Sequence, residues 1–240
     1  LVSIFSTQMT SVRVAPASNW SSGNSDVSGR RSRPGGQMVF LHAIEHGATP
    51  PRVSTDLDVL VNARIAGRTP AAFASGLEEL GFGQDRISPD GIAHRYRRNR
   101  VTIDVLVPEG VGECTDLTTT PPGHTIQVPG GTQALDRTEL VPVTSANRSG
   151  QIPRPSLLGA VVAKALTVGV DDAPVAQRLD FVFLFSLISD PFALKAQLTP
   201  KDRRRIRARK ELLGGEHRVW NELDAVARDR ARAALQILSG

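Results

Sequence analysis

The 240-residue chain has a single cysteine, Cys114. One thiol excludes an internal disulfide and fits a reducing cytoplasm, and no activating motif surrounds it to make it a nucleophile. No run approaches the roughly 20 apolar residues needed to span a bilayer. The longest, Phe181 to Ile188, reads as about two turns of buried helix. The N-terminus lacks the continuous apolar core of a secretory signal, and there are no internal repeats or heptads. A cytoplasmic globular protein without membrane partners is expected, and 40% hydrophobic content suffices for one good core or two small ones.

Charge is present in excess of one sign. The net charge is +5 and the pI about 10.1, a balance that favours contact with polyanions. Lys201 to Lys210 holds seven cations and one acid. Thr199 and Asp202 fit a capping box with Pro200 at the first helical position, so this run is expected to be a helix ending near Gly214-Gly215. It is either a solvated charged face or a phosphate-backbone contact for RNA through Arg203, Arg204, Arg207 and Lys210.

Three aspartates carry the most chemistry. Ser54-Thr55-Asp56-Leu57-Asp58-Val59-Leu60-Val61 and Val101-Thr102-Ile103-Asp104-Val105-Leu106-Val107 both alternate as strands do. Alternation puts Asp56 and Asp58 on one face with Leu57 and Val59 on the other, and it sets Asp104 beside Thr102, opposite Ile103 and Val105. Three carboxylates on one face repel unless a cation sits among them, and hard oxygen donors suit Mg²⁺ or Mn²⁺. Metal-assisted phosphoryl chemistry follows. Upstream, Gly35-Gly36 opens a helix-compatible stretch, where glycines let backbone amides approach an anion. Ser54 and Thr55 either assist with phosphate or cap the loop before the strand.

This order, a glycine pair, then Asp56-Leu57-Asp58, then Asp104 on a later strand, resembles the nucleotidyltransferase superfamily related to DNA polymerase beta, particularly its AbiEii-type toxin branch. The resemblance covers residues 35 to 190. It implies an α/β (α+β) fold, with a nucleotidyltransferase-like mixed sheet, flanking helices and a C-terminal helical domain. It also implies catalytic roles for Asp56, Asp58 and Asp104 as metal ligands, and for Lys164 and Asp180, carried over from helices that complete the nucleotide pocket. Gly35, Gly36, Ser54, Thr55 and Lys164 would meet the nucleotide. Lys164 shares a helix side with Val161 and Leu157, so it needs a partner or a route to solvent. Asp180 either orients Lys164 or the nucleotide, or caps the helix of Phe181 to Ile188.

The implied activity is metal-dependent transfer of a nucleoside monophosphate from an NTP to an acceptor such as the 3' end of tRNA, by a toxin with an antitoxin partner. The alternatives are an impaired nucleotide- or RNA-binding remnant and a kinase-like phosphotransferase. Family members carry an apolar strand into the glycine pair, whereas this chain has Ser28-Gly29-Arg30-Arg31-Ser32-Arg33-Pro34. Residues 1–33 are therefore expected to be disordered and foreign to the fold, through a misassigned start, a frameshift or a truncation. The core is expected over 34–150 and the helical domain over 151–240.

The remaining pattern predicts a helix from Gly35 to about Glu45 and a Thr69-capped helix stopping at Gly81. It predicts a hairpin of Ala93–Arg97 with Val101–Val107, a long loop over 108–131, and short strands near 125–128 and 139–143. Helices are expected over 155–168, 175–189, 200–213 and 217–238. His42 and His46, four apart on one helix, have a zinc-compatible spacing with no third ligand apparent, so they are assigned to packing or polar contacts at the helix surface. Arg95 and Arg97 face the nucleotide or decorate an exposed edge strand.

Overall fold

The computed structural model describes residues 12–14, 31–32, 35–52, 54, 56–65, 69–145, 148–168, 174–214 and 216–240. In chain order its strands are β1 (Val12–Val14), β2 (Arg31–Ser32), β3 (Asp56–Val61), β4 (Gly83–Gln84), β5 (Arg95–Arg98), β6 (Val101–Pro108), β7 (Gln127–Val128), β8 (Thr138–Ser145) and β9 (Arg148–Pro155). The helices are α1 (Gly36–Glu45), α2 (Pro70–Glu79), α3 (Gly131–Asp136), α4 (Leu157–Thr167), α5 (Pro174–Ser186), α6 (Pro191–Ala196), α7 (Pro200–Arg207), α8 (Lys210–Leu213) and α9 (Ala225–Ser239). The fold is mixed α/β, with a mixed sheet and a C-terminal helical region, as the sequence implies.

Period-two patterning builds the main sheet, whose strands run in the order β2-β3-β6-β5-β4 with β7 added to the end of β6. Leu57, Val59 and Val61 of β3 and Ile103 and Val105 of β6 fall on one face. There they pack with Ala74 and Leu77 of α2, Phe82 and Tyr96. The other face carries Leu60 and Leu106, which meet Ala134 and Leu135 of α3 and Ala163 of α4. That contact lays α4 across the same face as the aspartates. β3 and β6 are parallel, and β5 and β2 run antiparallel to their neighbours β6 and β3.

A second sheet, β1-β8-β9, is antiparallel throughout. Leu41 of α1 packs on its Val141, Val143 and Ile152, while Met38, Val39 and Ala43 of the same helix join the large helical core with Phe181, Phe185 and Trp220. Helix α1 is thus apolar on two sides. It ties the small sheet to the C-terminal helices, and its eight residues from Gly36 to Ala43 are all buried.

Several expectations change at this level. Within 1–33, the described pieces β1 and β2 are paired strands rather than structureless chain, with β2 at the sheet edge; the rest of that segment lies outside the described residues. Strand β9 runs to Pro155 across the 150/151 boundary, pairing with the expected strand β8 over eight registers, and its own Pro153 and Pro155 disguise it as loop. Helix α3 interrupts the region read as loop and short strands. The basic run breaks after Arg207 into α7 and α8, and the last helix begins at Ala225 after a 3₁₀ turn over Arg218–Glu222. Among the described residues, no helix is long and apolar enough to cross a membrane.

The helix starts follow their sequence signals. Thr69 accepts from the Ala72 amide with Pro70 next in line, and Thr199 and Asp202 close a full capping box. Asp202 is fully buried and also pairs with Arg137 at 2.7 Å, joining the start of α7 to the end of α3. Asp202→Ala removes the N3 half of the capping box and leaves Arg137 without its buried partner, so urea unfolding should show a loss of about 2–4 kcal/mol.

Candidate functional site

Register decides which acids meet. In parallel strands, partners share a face, and Asp58 stands opposite Asp104 while Asp56 stands opposite Thr102. On the other side of β6, Arg95 of β5 is the register partner of Asp104. A row Asp58, Asp104, Arg95 therefore crosses three strands on one face, with Asp56 one pleat away. Asp56, Asp58 and Asp104 thus share one face of the sheet.

Their electrostatics differ. Arg95 clamps Asp104 through both guanidinium arms, Nε to Oδ1 and Nη2 to Oδ2 at 2.8 Å each. That hydrogen bonding pushes the Arg95 pKa up further. Asp58 has no such clamp. Burial raises its carboxyl to about 7, repulsion from Asp104 and Asp56 adds to this, and Lys164 and Arg95 pull the other way. Arg97 pairs with Asp85 at 3.3 Å, and β5 lies inside the sheet between β4 and β6, so the exposed-edge reading of this strand does not hold.

The glycine pair is a steric requirement of the same site. A Cβ on Gly35 would lie 1.8 Å from Asp58 Oδ2, and its φ of +89° is left-handed; a Cβ on Gly36 would lie 2.4 Å from Ser54 Cβ. The N-terminus of α1 is thereby pressed against the Asp58 carboxylate. Ser54 turns its hydroxyl to the Asp56 carbonyl at 3.2 Å and its own carbonyl accepts from Gln37, so it holds the loop before β3. Thr55 lies outside the described residues.

Lys164 is 3% exposed, not a snorkelling surface lysine. Its Nζ donates to Asp180 Oδ2 at 2.8 Å and to Gln177 Oε1 at 2.6 Å. Asp180 sits within α5, well past its start, so it orients Lys164 instead of capping the helix. Arg52 grips the same carboxylate with Nε at 2.8 Å and Nη2 at 2.6 Å. Two cations on one buried acid leave a net positive charge beside the acidic row. Gly35, Asp58, Gly130, Lys164, Thr167 and Gln177 line a cavity of about 140 Å³ whose remaining walls are largely apolar. An anionic group with a bound cation suits this combination of carboxylate, ammonium and glycine turns.

The basic helix is less available than its sequence implies. Arg207 donates to the carbonyls of Ser239 and Gly240 at the end of α9, and Arg203 is half-buried. Arg204 is exposed, and the Lys210 side chain lies outside the described residues.

Sequence reading missed three partners. Arg52 reaches Asp180 over 128 positions, which no local pattern marks. Arg154 is 1% exposed and bonds Glu45 and Glu139. Glu45 itself stands with His42 and His46, all three offering ligand atoms within 4.8 Å of one another. His42 is buried rather than at the helix surface, and burial lowers its pKa to about 4. The H-x-x-E-H spacing was the available signal.

No family model, curated protein or solved structure matches this chain.

The shift at Asp58 sets a pH dependence. Its folded pKa of about 7 lies above the unfolded value of about 3.9, so the fold carries no penalty below the lower value, loses stability as pH rises between the two, and levels off above. Without divalent ions, urea melts should show Asp58→Asn removing a decline of about 2–3 kcal/mol between about pH 5 and pH 8.

Proposed function

We propose that the protein is a divalent-metal-dependent nucleotidyltransferase acting on a nucleoside triphosphate. The observation that carries this reading is the row Asp58–Asp104 on parallel β3 and β6, with buried Lys164 of α4 lining the same cavity as Asp58. The donor set fits the ion, because three carboxylates on one face include one, Asp58, that burial and repulsion keep from ionising freely. Asp56, Asp58 and Asp104 would hold Mg²⁺ or Mn²⁺, which would neutralise phosphate charge and lower the pKa of an attacking hydroxyl.

The chain's own residues supply the rest. Lys164, fixed by Asp180 and Gln177 at the cavity wall, would offer its ammonium to a phosphate oxygen with little reorganisation. The Gly35–Gly36 turn brings backbone amides of α1 beside the Asp58 carboxylate with no side chain in the way. Arg95 neutralises Asp104 in the absence of a cation and, being on the partly exposed side of the row, can turn its guanidinium to the phosphates once Asp104 takes another partner. An RNA acceptor suits the net charge of +5 and the exposed Arg204.

Incubation with Mg²⁺, total RNA and NTPs labelled at either the alpha or the gamma phosphorus tests this. Alpha label should appear on RNA, and Asp58→Asn should lower the rate at least 100-fold, the order of loss typical when an electrostatic contact to the transition state is removed. Gamma label alone would select phosphate transfer instead. Full turnover by folded Asp58→Asn would contradict the assignment.

A further inference from the structure

At the opposite end of α1 from the glycine turn, His42, Glu45 and His46 share one helix side at positions i, i+3 and i+4. His42 Nε2 lies 3.1 Å from the Pro155 carbonyl, which can only accept, so Nε2 carries the ring proton and Nδ1 presents a lone pair. That Nδ1 is buried, has no hydrogen-bond partner, and lies 3.7 Å from Glu45 Oε2. A lone pair facing a carboxylate oxygen in a buried setting leaves room for something positive between them. His46 Nδ1 stands 4.0 Å from the same oxygen.

We propose that His42 Nδ1, Glu45 and His46 form a structural site for a zinc-class transition-metal ion. Zinc bonds of about 2.0–2.2 Å to nitrogen and oxygen put neighbouring tetrahedral ligands roughly 3.3–3.5 Å apart, against 3.7 and 4.0 Å from Glu45 Oε2 to the two Nδ1 atoms and at most 4.8 Å across the set. Two imidazoles and one carboxylate select such an ion over Mg²⁺. The Pro155 carbonyl fixes the His42 tautomer from behind, the usual outer support of a metal-bound histidine. Arg154 Nη2 already bonds this same Glu45 Oε2 and is shared with Glu139, so two carboxylates offset one guanidinium, and the ion would take the oxygen's side toward the two Nδ1 atoms. Binding is balanced in protons: the His46 Nδ1 proton, now donated to the His42 carbonyl at 2.9 Å, leaves to solvent as the ion takes its place, and Nε2 takes one up from solvent, so the ring stays neutral. His46 is 31% exposed and lines a cleft of about 560 Å³ with Thr49, Glu222, Asp224 and Arg230, which provides the entry path. The ion would tie together the last turn of α1, the helix whose first turn meets Asp58.

Isothermal titration of the full chain with Zn²⁺ tests this. The wild type should bind one ion per chain at this site. His46→Gln, a change at a half-exposed helix end whose fold circular dichroism can verify, should weaken that binding at least tenfold. Asp58→Asn should leave it unchanged. No Zn²⁺ binding, binding that His46→Gln does not weaken, or binding that Asp58→Asn removes would overturn the proposal. The last two would assign the ion to other ligands, and none of these outcomes bears on nucleotidyl transfer.

Discussion

Mutual repulsion between two carboxylates in the same register of adjacent parallel strands is the constraint around which this structure is organised. Asp58 and Asp104 cannot separate without breaking the β3–β6 ladder, and that ladder also holds Leu57, Val59, Ile103 and Val105 in the core beneath α2. Relief has to come from side chains around them. Arg95 takes Asp104 in a two-point clamp from the next strand. Asp58 receives only the field of Lys164 and Arg95 and stays hard to ionise. One acid is satisfied and its neighbour is left short of positive charge, an imbalance typical of a site built to be completed by something else.

Packing supplies the frame. Ala163 of α4 rests on Leu60 and Leu106, and that contact carries the next residue, Lys164, to the edge of the acidic row. Asp180 then fixes Lys164 from α5 while also holding Arg52 from the segment ahead of β3. Helix α1 links all of this, since its first turn fits against Asp58, its middle joins the helical core, and its last turn reaches β9 through His42 and Glu45.

Period and caps make much of this legible in the sequence. Alternation around Asp56, Asp58 and Asp104 predicted their common face, and Thr69 and Thr199 announced the helices that they cap. What stayed hidden depends on distance along the chain or on punctuation. Nothing local ties Arg52 to Asp180 or Arg154 to Glu45, pairs separated by 128 and 109 residues. Strand β9 carries Pro153 and Pro155 at positions that a strand reading avoids, although its partner β8 was legible near 139–143, and α3 is too short to show a period. Lys164 could be placed on an apolar helix side, yet its burial became clear only once Gln177 and Asp180 were found opposite it.

If the three aspartates form a cation site facing Lys164, an ion should be visible among them. Crystals soaked with Mn²⁺ and a non-hydrolysable nucleoside triphosphate, measured for anomalous scattering, test it most directly. The account predicts a manganese peak bounded by Asp56, Asp58 and Asp104, with Arg95 turned away from Asp104 and phosphate oxygens beside Lys164. An intact Arg95–Asp104 clamp with no peak at these carboxylates, under conditions where the nucleotide is bound elsewhere, would contradict it.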